Sequence, residues 1–60
     1  MKIYHVTKDW DQRMKILQVL GLTPHVTVNG LTPFNHPSDE QMRKAREFEK
    51  QGLIELRNIP

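Results

Sequence analysis

Three side chains in this chain could hold a metal or move a proton at neutral pH: His5, His25 and His36. A zinc site takes three or four ligands, and a pair of them usually stands a few residues apart. No two of these histidines stand three to five apart, and the chain has no cysteine to complete a set. His5 falls in a β-branched, aromatic stretch and reads as a hydrogen-bonded core or cap residue. His5 and His25 could still meet if they lie on neighbouring strands, which is the one arrangement that would pair them. His36, between Asn35 and Pro37, precedes a helix start and reads as a loop residue.

Nucleophilic chemistry needs an activated hydroxyl, thiol or amine beside a base. The one serine, Ser38, is accounted for as a helix cap, and the four threonines occupy strand or turn positions. Asp9 and Asp11 stand together at a helix start, where the helix dipole favours carboxylates without any acid–base role. Gly21, Gly30 and Gly52 are isolated, so no phosphate-cradling loop is formed. A ligand pocket of several hundred Å³ is also hard to enclose in so short a chain. These residues predict a non-enzymatic protein with no cofactor, no metal and no small-molecule ligand.

The binding-type residues are more informative. Arg43, Arg46 and Lys50 recur at helical spacing, Lys44 flanks them, and Arg57 could extend the patch from the next strand. Such a stripe could meet a few phosphates. Glu47 and Glu49 interleave with it, as on an ordinary solvated helix face, and no aromatic residue stands within it for base stacking. Trp10, Tyr4 and Phe34 are candidate anchors of a protein interface, where exposed aromatics carry much of the energy. Phe34 is placed between turn signals and has no periodic slot in a core.

The elements that must position these residues are marked by a pattern written twice. Asp9 with Gln12, and Ser38 with Gln41, have the spacing of a helix-opening box. Gly21-Leu22 and Gly52-Leu53 have the form of a left-handed stop followed by a hydrophobic contact. Between these signals run helices over residues 10–20 and 39–51. Trp10, Met14, Leu17 and Leu20, widened by Ile16 and Val19, form the first apolar stripe; Met42, Ala45 and Phe48 form the second. The pairs Glu40/Lys44 and Arg43/Glu47 fall at i,i+4 on the outer side of the second helix.

Residues 2–7 predict a strand with apolar side chains on both faces, suited to the middle of a sheet. Residues 25–28 and 53–59 predict two more strands. The resulting fold class is α/β: a single small domain over residues 1–60, ordered β-α-β-α-β, with a three-stranded parallel or mixed sheet. Strand order 2-1-3 would place one helix on each face. The alternative is an α+β fold in which Asn29-Gly30 closes a hairpin onto Leu31-Thr32, with Pro33 restricting that segment to a sheet edge.

Glu47 to Leu56 resembles the helix running into a wing strand of winged-helix DNA-binding regulators. The resemblance covers about ten residues and stops there, because such a recognition helix follows another helix by a tight turn. Residues 26–37, rich in Thr, Pro, Asn and Gly, do not supply that helix.

The 60 residues carry nine Lys/Arg against seven Asp/Glu, a formal net charge of +2. That balance leaves room for a local basic patch and no more. The composition, 37% hydrophobic and 27% charged, is that of a folded chain. No apolar run approaches the roughly 18 residues of a membrane span, the N-terminus lacks a signal-peptide core, and the cysteine-free chain suits a reducing cytoplasm. A domain of this size is marginally stable alone, so homodimerisation or a partner is the expected source of added stability. The reading is a small protein-interaction module, such as an inhibitor or accessory subunit of bacterial or phage type. The alternative is a weak nucleic-acid binder that uses the second helix.

Overall fold

The computed structural model describes residues 1–59. Strand β1 (Lys2–His5) leads into helix α1 (Trp10–Val19) and a 3₁₀ turn (Pro24–Val26). Strand β2 (Leu31–Pro33), helix α2 (Asp39–Lys50) and strand β3 (Ile54–Arg57) follow.

The helices begin and end where the caps require. At Ser38 the capping box is complete: the Gln41 amide donates to Ser38 Oγ at 3.1 Å, and the Ser38 amide donates to Gln41 Oε1 at 2.9 Å. Caps of this kind stabilise by about 1 kcal/mol. Asp9 caps α1 by accepting from the Asp11 amide at 3.0 Å. Gln12 is not needed to answer it, because the Asp9 amide donates to Thr7 Oγ1 at 3.1 Å. Both C-termini close as Schellman motifs. Leu22 N donates to Leu17 O at 2.8 Å and Gly21 N to Gln18 O at 3.1 Å. Likewise Leu53 N donates to Phe48 O at 3.2 Å and Gly52 N to Glu49 O at 3.0 Å. Gly21 and Gly52 sit at φ +69° and +78°, the left-handed conformation this motif demands.

The sheet differs from the expectation. Its order is β2-β1-β3, so β1 is central as its two-sided pattern implies, but both pairings are antiparallel. The parallel or mixed sheet is therefore corrected to an antiparallel one. The cause lies at residues 24–31. Pro24 starts a 3₁₀ turn closed by Thr27 N donating to Pro24 O at 3.2 Å, which consumes residues expected to be the second strand. Asn29 at φ 53° and Gly30 at φ 75° then turn the chain back, and Val28 and Leu31 pair across that turn. Positive φ at both central residues is the hairpin turn that Asn-Gly favours. The reversed chain delivers Leu31 to Pro33 antiparallel to β1.

Side chains alternate along β1: Ile3 and His5 are buried, while Lys2 and Tyr4 are only partly covered. Ile3 stands opposite Thr32 and Leu56, and His5 opposite Ile54. The core joins Ile3 and Ile54 from the sheet with Ile16 and Leu20 of α1, Ala45 of α2, and Phe34. Both helices thus cover one face of the sheet, and no helix covers the face carrying Tyr4. Gln41 Nε2 ties the helices together by donating to Leu20 O at 2.8 Å. Among the described residues no helix is long and apolar enough to cross a membrane.

Both sheet edges are partly occupied. On β2, His5 N donates to Gly30 O at 2.8 Å and Phe34 N to Met1 O at 2.9 Å, which sets Pro33 on the outward side, where it has no N–H to offer. Leu31 N and O are both taken by Val28, at 3.0 and 2.9 Å. On β3, the outward amide of Leu56 donates to Glu49 Oε2 at 3.0 Å.

Candidate protein-binding surface

Helix α1 has a covered side and an open one. Ile16, Leu17 and Leu20 are buried, whereas Trp10 and Met14 are each 50% exposed. Residues four apart lie one above the other on a helix, so Trp10, Met14 and Gln18 form a row. Beside this row Met14, Gln18, Leu22 and Pro24 line an apolar hollow of about 180 Å³. The Gly21 stop creates it, since the Schellman turn folds Leu22 and Pro24 back along the last turn of α1.

Arg13 stands one turn beyond Trp10, with its guanidinium carbon 5.1 Å from the indole centroid. Its Nε donates to Thr7 O at 2.7 Å, which fixes the side chain across the start of α1. A Cβ at Gly30 would stand 3.5 Å from Arg13 Nη2 and 3.8 Å from Tyr4 Cε1, so both groups border that glycine. On the far side of Tyr4, the Arg57 guanidinium lies 4.0 Å from the ring centroid. Arg57 Nε and Nη2 both donate to Glu55 Oε1, at 3.2 and 2.9 Å, which holds the cation at the ring. The register explains this contact: Tyr4 faces Glu55 across the ladder, and Arg57 is its diagonal neighbour. Trp10, Arg13, Tyr4 and Arg57 therefore alternate ring and cation from the start of α1 onto the uncovered sheet face.

The other sequence-derived candidates fall elsewhere. Phe34 is 1% exposed and sits in the core, so it presents no surface to a partner. It has no periodic slot because it follows β2 directly and enters the core from a loop. On α2 the basic stripe is partly neutralised: Glu40 pairs with Arg43 and, at 3.8 Å, with Lys44. The hydrogen bond from Arg43 holds the Glu40 carboxyl below the usual carboxylate range and raises the Arg43 guanidinium in turn. Arg43 thus bonds one turn back to Glu40 and not forward to Glu47. Among the described residues Arg46 and Lys50 form no ion pair. Arg57 lies on the uncovered sheet face and does not extend the stripe.

His5 is 1% exposed. Its Nε2 lies 2.9 Å from Thr32 Oγ1, which lies 2.7 Å from Thr27 Oγ1. Its Nδ1 is buried without a partner. Burial, and secondarily the Arg13 charge, lower its pKa below the ordinary 6.5. A neutral ring suits both causes. His5 meets threonines and not His25, and among the described residues no three His, Cys, Asp or Glu side chains group as metal ligands.

Arg13 is the residue of this surface that does not stand out in the sequence. Its spacing of three from Trp10 was the available signal. Comparison with protein-family models, with curated proteins and with solved structures found no match.

Proposed function

We propose that this protein is a non-catalytic interaction module that binds another protein through the surface running from the Met14 hollow over Trp10 and Arg13 to Tyr4 and Arg57. One observation carries the reading: two large aromatics and two arginines, drawn from β1, α1 and β3, alternate in one row. Trp, Tyr and Arg are the residue types that dominate interface energetics. The β2 edge has no free outward N–H, which argues against a partner adding a strand there.

Quantitative affinity capture tests this, using wild type, Trp10→Ala and the Arg43→Ala/Arg46→Ala double variant, each checked for its fold by circular dichroism. At least one protein should be retained by wild type and by the double variant, and reduced tenfold or more by Trp10→Ala. Retention that ignores Trp10→Ala but vanishes with the double variant would reject the proposal.

A second reading, weak nucleic-acid binding, draws support from Arg46 and Lys50 and from the guanidinium over Tyr4. It predicts affinity that falls steeply with salt, with a log–log slope near −0.9 for each phosphate neutralised. A second copy of this chain is the remaining candidate partner, and it would show as concentration-dependent melting.

A further inference from the structure

We infer that the occupant of this surface is an acidic amphipathic helix of the partner, which places a large apolar side chain in the Met14 hollow and, one turn away, a carboxylate on Arg13. The inference rests on the protein-binding reading and names the chemistry of its partner.

Arg13 supplies the charge. Its Nε is committed to the Thr7 carbonyl and its face to Trp10. Among the described residues it forms no ion pair, unlike Arg43 and Arg57. The guanidinium is thus held in one orientation with its terminal N–H groups uncommitted to a carboxylate. A planar fork of this kind matches a carboxylate through two parallel hydrogen bonds.

Met14, the next residue, lines the apolar hollow. The hollow is about 180 Å³, below the roughly 300–1,000 Å³ of small-molecule sites. It has room for a single side chain, and Met14 is an adaptable wall for it. Gln18 offers an amide at the rim. Met14 lies one helical turn from Trp10, about 6 Å along the axis, and the Arg13 guanidinium sits over the Trp10 ring. Residues i and i+4 of a partner helix have the same separation.

A continuous polyanion fits less well. No cation lines the hollow, and Asp9 and Asp11 are exposed beside Trp10. A phosphate chain would meet those carboxylates, whereas one carboxylate aimed at Arg13 need not.

The test selects binders from a random twelve-residue peptide library on the intact protein. It then measures the enriched peptides by fluorescence anisotropy of a dye carried on the peptide, which reads binding to Trp10→Ala as well as to wild type. Enriched sequences should carry a large apolar residue three or four positions from Asp or Glu. Changing that acid to its amide should weaken binding tenfold or more, as should Arg13→Gln. The amide peptide keeps the test decisive if Arg13→Gln fails to fold. Peptides that lack an acidic bias but lose binding to Met14→Glu would overturn the inference and leave the protein-binding reading standing. Peptides indifferent to both Trp10→Ala and Met14→Glu would overturn both. So would twelve-nucleotide oligo(dT) quenching Trp10 at low salt while no peptide is enriched.

Discussion

Protonating His5 should unfold the protein by degrees as the pH falls below 6.5. The ring is sealed in the core, with one nitrogen on Thr32 and the other unpartnered. Burial first, and the Arg13 charge second, lower its folded pKa below 6.5. The unfolded chain therefore binds the proton more tightly, and the stabilising difference is fully present above pH 6.5. It is lost as the pH falls from 6.5 towards the folded pKa, by at most about 1.4 kcal/mol per pH unit for one proton. At 0.05–0.15 kcal/mol per residue a domain of this size holds only about 3–9 kcal/mol, so one such unit is a large share. It should lower Tm by about 6–11 °C. Urea and thermal melts from pH 8 to 5 would measure the slope in wild type, in His5→Gln and in a variant lacking both His25 and His36. His5→Gln should flatten the profile between pH 6.5 and 5, and the double variant should keep it. Equal slopes in wild type and His5→Gln would refute the reasoning, because the exposed histidines or carboxylates would then be responsible.

Other substitutions test the frame. Gly52→Ala and Gly21→Ala should each cost about 1–2 kcal/mol through the left-handed conformation alone, since an added Cβ at either site meets no atom within 4 Å. Urea midpoints unchanged from wild type would remove the Schellman account. Phe34→Ala should cost about 3–5 kcal/mol, as loss of a core aromatic does, and leave little folded protein by circular dichroism. A well-folded Phe34→Ala with wild-type Tm would return Phe34 to the surface. Ser38→Ala should cost about 1 kcal/mol, read as a lower urea midpoint. Glu49→Lys should expose the Leu56 amide at the β3 edge and raise light scattering in concentrated samples, because an unguarded edge invites pairing.

Helix positions were legible in the sequence because capping is local chemistry. Ser38, Gln41, Gly52 and Leu53 lie within a turn of the groups they satisfy, and so do Asp9, Gly21 and Leu22. The central place of the first strand matches the expected order, but its apolar side chains on both faces did not mean a helix on each face, since both helices pack on the Ile3 side. Pro33 was rightly confined to an edge, since a missing N–H has the same consequence in any sheet. Strand direction was not legible. The run Val26-Thr27-Val28 has strand propensity, yet Pro24 draws Val26 into a 3₁₀ turn, and Asn29-Gly30 reverses the chain so that Leu31 to Pro33 pair with β1. Which of two such segments pairs depends on the contacts of a distant strand. The same holds for the surface. Phe34 reads as a loop residue until Ile3, Ile16 and Ile54 close over it. Residues 4, 10, 13 and 57 carry no mutual pattern along the chain. Only the antiparallel register of β1 with β3, and the seating of α1 against one sheet face, bring their rings and guanidinium groups into one row.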